Sequence, residues 1–106
     1  MDKRKDIEKK LEDFKRKVNK DFPIDKMYLF GSRVFGKIHK DSDVDLIIVS
    51  PKFRELDFFQ RGAKMYNYWK IYSPVDFLCY TPEEFKKFKK QTTIVAQAIK
   101  EGREIL

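Results

Sequence analysis

Apolar side chains recur every three or four positions in the first segment of the chain and are separated by charged residues. The apolar positions are Ile7, Leu11, Phe14, Val18 and Phe22. This spacing is typical of one face of an amphipathic helix. Pro23 follows directly, and the residue before a proline disfavours helical backbone. The pattern predicts a helix over residues 2–22.

Three short apolar runs predict β-strands. They cover residues 27–30, 43–50 and 75–80, and the second is rich in β-branched side chains. Residues 31–42 separate the first two runs. That interval is too long for a tight hairpin and leaves room for one helical turn starting near Ser32, so we interpret it as a functional loop.

Helical spacing returns after the second strand. Residues 57–72 predict a second amphipathic helix, with Phe58, Gly62, Met65, Tyr66 and Trp69 at that spacing. Tyr66 and Trp69 are interpreted as core residues first and as base-stacking residues second. Thr81-Pro82-Glu83-Glu84 has the pattern of a capping box with proline at the first helical position, so a third helix is predicted there. A last helix is expected to end near Gly102.

The order of these elements predicts a small α/β (α+β) fold, with helices packed on a mixed sheet. Because a helix joins the strands at 43–50 and 75–80, those two strands should be parallel and begin at the same end of the sheet. A chain of 106 residues is too short to divide its apolar area between two cores. We therefore expect one domain over residues 1–106.

The charge and the cysteine content indicate the kind of partner and the cellular compartment but do not identify a function. The net charge of +7 favours polyanionic partners such as nucleic acid or nucleotide phosphates, although a surface rich in Lys and Glu also fits heat adaptation. One cysteine, Cys79, cannot form an internal disulfide, and neither a signal peptide nor a long apolar run is found. A cytoplasmic, non-membrane protein is expected. The terminal Ile105 and Leu106 could mark an exposed partner surface.

Acidic residues stand at the starts of two predicted strands. Asp43 and Asp45 are two positions apart, so they should project to the same side. Asp76 holds a similar position in the strand at 75–80. Adjacent carboxylates repel unless a cation neutralises them, and oxygen-only ligands suit magnesium, with calcium or a solvated loop end as the alternatives. Cys79 should be buried on the face opposite Asp76.

A second group of candidate residues follows the first strand. Gly31 allows close backbone approach to an anion, and Ser32 could add a hydroxyl and backbone N–H groups at a helical turn. Arg33 supplies a planar donor for phosphate. A phosphate site beside metal-binding acids would be suited to chemistry on a nucleoside triphosphate. The single histidine, His39, is interpreted as a surface residue without a catalytic role.

These groups occur at a recognisable spacing. Phe30-Gly31-Ser32, ten residues and then Asp43-Val44-Asp45-Leu46 resembles the signature of the DNA polymerase beta-like nucleotidyltransferase superfamily. The fuller run, from Gly31-Ser32-Arg33-Val34-Phe35-Gly36 to Asp41-Ser42-Asp43, is similar to its smallest branch, the minimal nucleotidyltransferases of bacteria and archaea. The motif covers only residues 30–46, but the order of elements agrees over nearly the whole chain.

The resemblance implies a role for each candidate residue. Ser32, with Gly31 and Arg33, would hold the triphosphate, and Asp43 and Asp45 would bind two magnesium ions. Asp76 would help to bind metal and activate the attacking hydroxyl. Phe35 stands where many relatives have arginine, which removes one phosphate contact.

The resemblance also implies a partner, a helical HEPN-domain toxin for which this chain would be the antitoxin. The first hypothesis is transfer of AMP from ATP to a tyrosine hydroxyl of the toxin. The second is a non-catalytic module that neutralises the toxin by binding alone, and the third is a basic nucleic-acid-binding module. Homo-oligomerisation stays open.

Overall fold

The computed structural model describes residues 3–30, 44–71, 74–91, 96, 99–100 and 102–105. Its helices are α1 (Lys3–Asn19), α2 (Phe58–Tyr66) and α3 (Pro82–Lys89), with a short 3-10 helix at Pro51–Glu55. Its strands are β1 (Lys26–Phe30), β2 (Val44–Val49), β3 (Val75–Tyr80) and β4 (Arg103–Glu104).

The four strands form one mixed sheet in the order β3-β2-β1-β4. β2 and β3 run parallel, as the intervening helix predicted, and β1 is antiparallel to both β2 and β4. The small α+β fold expected from the element order is confirmed. β2 is central, and residues 46–49 are almost completely buried on both faces.

One face of the sheet carries the larger core. Leu11, Phe14 and Val18 of α1 pack there with Met65 of α2 and with inward-facing residues of the strands. Each such aliphatic or aromatic side chain contributes about 1.5–3 kcal/mol on full burial. The helical spacing of the first segment is therefore explained by packing against the sheet.

The opposite face carries a smaller core centred on Ile47 and Val49 of β2. Tyr28 stacks on Phe85 of α3 with ring centroids 5.8 Å apart. Thr81 caps α3 by accepting from the Glu84 amide, while Glu84 accepts from the Thr81 amide, so the predicted capping box with Pro82 at the first position is confirmed.

Two helices are shorter than their patterns predicted. α1 ends at Asn19, not at residue 22, because the Asn19 side chain accepts a 2.8 Å bond from the Ile24 amide and turns the chain toward β1. α2 ends at Tyr66, not at residue 72. The amides of Tyr68 and Trp69 donate to carbonyls three residues back. Such bonds form a tighter turn than an α-helix, so the side chains after Tyr66 do not follow the α-helical spacing. Trp69 still packs on the core, against Phe14.

The C-terminal region contains a strand that the pattern did not predict. Residues 96, 99 and 100 are helical, as expected, and are followed by β4, which pairs with Tyr28 and Leu29 of β1. The Ile105 amide donates to the Met27 carbonyl at 2.8 Å, and the Ile105 side chain is buried. The interpretation of Ile105 as an exposed residue is therefore wrong, and Leu106 lies outside the described residues. Within the described part of the chain, no helix has the length and apolarity needed to cross a membrane.

Candidate active site

Two acidic residues lie side by side where β2 and β3 begin. Asp45 and Asp76 are direct partners in the parallel register of these strands, and neighbouring strands lie about 4.8 Å apart. Both residues belong to the sheet face that also carries Ile47, since side chains two positions apart share a face. The structure thus pairs Asp45 with Asp76 at the same end of the sheet.

Backbone hydrogen bonds fix the position of this acid pair. The Val44 amide, one residue before Asp45, donates at 2.8 Å to the carbonyl of Pro74, two residues before Asp76. Antiparallel pairing places Phe30, the last residue of β1, directly opposite Asp45 on the other side. The end of β1 and the starts of β2 and β3 therefore meet at the same sheet edge.

The two acids differ in their exposure. Asp76 is exposed, whereas Asp45 is half-buried in the more central strand. The arrangement supplies two hard oxygen donors, which suit magnesium or calcium better than soft transition metals.

The remaining predicted site residues fall outside the described part of the chain. These are Gly31, Ser32, Arg33 and Asp43, together with Phe35 and His39. Among the described residues, no group of three or more His, Cys, Asp or Glu side chains is arranged to hold a metal. The assignment of Gly31, Ser32 and Arg33 to triphosphate binding, and of Asp43 to metal binding, therefore stays a prediction.

Tyr66, predicted to be a core residue, is instead 53% exposed. Its hydroxyl donates to the Val75 carbonyl at 2.5 Å, and its ring meets Phe77 edge-on with centroids 4.9 Å apart. The prediction of a buried Tyr66 is wrong because its polar tip reaches an edge-strand carbonyl and holds the ring at the surface. Tyr66 thus contacts both sequence neighbours of Asp76.

Arg61 is a buried charge that the sequence pattern did not reveal. Its guanidinium donates to the carbonyl oxygens of Phe53, Leu56 and Cys79 and to Glu84 Oε1, at 2.7–3.2 Å. Only 7% of the residue is exposed. Its position four residues before Met65, on the inward face of α2, was the available signal, but the charge argued against burial. Arg61 ties α2 to the end of β3 and the start of α3.

Two titratable groups near this arginine are shifted. Burial raises the pKa of the Cys79 thiol to about 12, although the Arg61 charge acts in the opposite direction. Cys79 is therefore a protonated core residue, and its predicted burial on the face away from Asp76 is confirmed. Burial acts to raise the pKa of Glu84, but hydrogen bonds from Thr81 and Arg61 and the Arg61 charge outweigh burial and lower it.

Comparisons with known proteins identify the family and the fold. The chain matches the family model described as a nucleotidyltransferase domain over residues 7–98. Its fold is similar to the crystal structure of a candidate nucleotidyltransferase from Sulfolobus solfataricus, with a TM-score of 0.63 and 24% identity over 79% of this chain and 75% of that chain. A search of curated proteins gives no match. Because the family model covers most of its residues, the chain belongs to the nucleotidyltransferase domain family.

Proposed function

We propose that this protein is a magnesium-dependent nucleotidyltransferase that transfers AMP from ATP to a hydroxyl group. The observation that carries the proposal is the register pairing of Asp45 with Asp76 at one sheet edge, in a chain of this family. Two carboxylates on adjacent strands create a concentrated negative charge, which a divalent cation offsets. Asp45 and Asp76 are therefore the residues assigned to metal binding.

The proposed reaction is in-line displacement at the α-phosphorus. The oxygen of the acceptor hydroxyl forms a bond to this phosphorus, the bond to the bridging oxygen of the β-phosphate breaks, and pyrophosphate leaves. Asp76, the more exposed acid, is assigned to accept the hydroxyl proton. When bound, magnesium supplies positive charge that offsets the charge on the phosphate oxygens.

Residues of the motif complete the proposed site. Asp43 is assigned to metal binding beside Asp45, and Gly31, Ser32 and Arg33 to the triphosphate. The support is the resemblance of residues 30–46 to the minimal nucleotidyltransferase signature. A Gly-Ser turn can offer backbone N–H groups and a hydroxyl to phosphate oxygens, and arginine can bind them bidentately.

The acceptor proposed here is a tyrosine hydroxyl of a HEPN-domain toxin, which would make this chain an antitoxin. This finer assignment rests on the same motif resemblance. It is tested by incubating a candidate toxin with the protein, ATP and magnesium and measuring the intact mass of the toxin. We expect a gain of one AMP group per modified tyrosine.

Variants of Asp45 and Asp76, compared with a variant of an exposed acid elsewhere, test whether the acid pair is needed for transfer. Asp45→Asn and Asp76→Asn keep the side-chain size but remove the charge, so we expect transfer to fall by about 100-fold or more. Asp25→Asn, at an exposed position before β1, is the control and should retain full activity. Full activity in both site variants would contradict the proposal.

Neutralisation by binding alone is the second candidate, favoured by Phe35 at a position where relatives contact phosphate. It predicts that Asp45→Asn neutralises the toxin as well as the unchanged protein does, with no gain in toxin mass in either case. Growth assays of cells producing the toxin would separate this outcome from catalysis.

A further inference from the structure

The outer edge of β3 is a place where a strand of another chain could pair. Among the described strands, β3 lies at one edge of the sheet and pairs only with β2. Five of its six residues are hydrophobic, and Asp76 carries its single charge. Short hydrophobic segments with high β propensity and little charge pair readily with other chains when their edge is open. This edge therefore needs protection.

Alternation of the backbone groups along β3 shows which of them point outward. The carbonyl oxygens of Pro74 and Tyr80 accept hydrogen bonds from amides at the start of β2 and just past its end. In a parallel pair, alternate residues of a strand bond to the neighbouring strand. The residues between them turn their N–H and C=O groups away from β2 and toward any further strand. These outward residues are Val75, Phe77 and Cys79.

Two side chains of α2 occupy the outward carbonyl groups at the two ends of β3. The Tyr66 hydroxyl donates to the Val75 carbonyl at 2.5 Å. The Arg61 guanidinium donates to the Cys79 carbonyl at 3.2 Å. We call Tyr66 and Arg61 the edge caps. In the described part of the chain, only Phe77 keeps both its outward N–H and its outward C=O group unoccupied.

α2 lies along β3 in the opposite direction. Phe58, at the start of α2, contacts Tyr80 at the end of β3, with ring centroids 6.5 Å apart. Tyr66, at the end of α2, meets Phe77 edge-on at 4.9 Å. Gly62 lies midway between Phe58 and Tyr66 on the same helical stripe, and a side chain built there would meet no atom within 4 Å. The cover over the edge is therefore closed at its ends and open in the middle.

The other edge of the described sheet is protected in a different way. β4 has only two residues, Arg103 and Glu104, and both are charged and exposed. Short length and charge are common means of keeping an edge strand from pairing. β3 is longer and mostly hydrophobic, so its protection has to come from the helix that covers it.

We propose that the edge caps, Tyr66 and Arg61, prevent β3 from pairing with the β3 strand of a second copy of this chain. Two such edges could pair antiparallel about a two-fold axis, because each copy presents the same hydrophobic strand. The caps leave a complete pair of backbone groups at one residue only, whereas strands usually contain about three residues or more. The proposal concerns assembly and does not depend on the transfer reaction.

The test compares self-association of the full chain and its Tyr66→Phe variant by sedimentation velocity over a range of protein concentrations. Tyr66→Phe keeps the ring and removes one cap. We expect the unchanged protein to stay monomeric and the variant to associate at least about tenfold more strongly, because pairing of unchanged chains would break this hydrogen bond in both copies. Amide chemical shifts of the outward residues of β3 should then change with concentration.

Two further variants complete the test. Tyr68→Phe is the matched control, since it loses a hydrogen bond to Asp21 far along the chain from β3, and it should stay monomeric. Arg61→Lys keeps the positive charge but removes the planar set of donors. Combined with Tyr66→Phe, it should strengthen association beyond that of the single variant; if the double variant does not fold, Tyr66→Phe alone decides.

Several results would overturn the proposal. Tyr66→Phe might be expected to act through stability alone, and equal association of Tyr68→Phe would show that it does. A Tyr66→Phe variant as monomeric as the unchanged protein would show that the cap is not needed. Phe59 is 86% exposed on α2, so association that Phe59→Ser abolishes, with shift changes on α2, would assign it to apolar contact. Pairing of the unchanged protein through β3 would also contradict the proposal.

Discussion

Tyr66 Oη donates a hydrogen bond to the carbonyl oxygen of Val75, the residue that precedes Asp76. Its ring also packs edge-on against Phe77, the residue that follows Asp76. One side chain on α2 therefore contacts the backbone just before the more exposed acid and the side chain just after it. Among the described strands β3 lies at the edge of the sheet, so in that part of the chain only β2 pairs with its backbone.

Tyr66→Phe keeps the ring and removes only the hydroxyl. We expect the free energy of unfolding to fall by about 1 kcal/mol, the usual net contribution of one hydrogen bond, and the magnesium concentration for half-maximal transfer to rise. Tyr68→Phe is the control, since its hydroxyl bonds to Asp21 at the surface, at 2.6 Å. A change in magnesium dependence in both variants, or in neither, would argue against a positioning role for Tyr66.

Arg61→Met replaces the buried guanidinium with an uncharged side chain of similar length. Three carbonyl oxygens and Glu84 would lose their donor, so we expect a loss of about 3 kcal/mol in the free energy of unfolding. Arg54→Met removes the exposed pair with Glu83 and should cost much less, because surface ion pairs contribute little to stability. Urea denaturation measures both values, and similar losses would contradict a supporting role for Arg61.

Gly62→Ala should stabilise the protein. The position lies inside α2 and has open space where a Cβ would be placed. Alanine reduces the conformational freedom of the unfolded chain, which is worth about 0.5–1 kcal/mol in a helix. Thermal unfolding would detect the gain as a higher Tm, and a lower Tm would contradict the expectation that alanine fits this helical position without strain.

Acid should destabilise the contact between α2 and α3. Hydrogen bonds and the Arg61 charge lower the pKa of Glu84 from its ordinary value of 4.5, despite the opposing effect of burial. Near and below that pH the unfolded chain binds a proton that the folded protein does not, so stability falls as pH decreases. Glu84→Gln should flatten the pH dependence of unfolding below pH 4.5, and an unchanged slope would contradict this origin.

The sequence predicted the sheet better than it predicted the faces of the helices. The helix expected between the strands at 43–50 and 75–80 predicted their parallel pairing, and the capping box at Thr81 predicted the start of α3. The predicted inward face of α2 was wrong in two places. Arg61 is buried because it donates to backbone carbonyls, and Tyr66 is held at the surface by its bond to Val75. Hydrophobic periodicity assigns those two residues to the opposite environments.

The candidate site was predictable only in part. The pairing of Asp45 with Asp76 followed from the positions of both acids near the starts of parallel strands, and the structure confirms it. β4 was not predictable from apolar spacing, since its two residues, Arg103 and Glu104, are charged and exposed. Their place in the sheet depends on backbone pairing with β1, which side-chain patterns do not report.

The pairing of β4 with β1 also bears on how the protein is made. Tyr28 of β1 and Glu104 of β4 are register partners on neighbouring strands although they lie far apart in the chain. Lys15 of α1 also donates a hydrogen bond to the Ile105 carbonyl at 2.8 Å. During synthesis, β1 leaves the ribosome long before its second neighbour has been translated. The sheet can therefore reach its four-stranded form only after residue 105 has emerged, so its completion depends on a contact between distant parts of the chain.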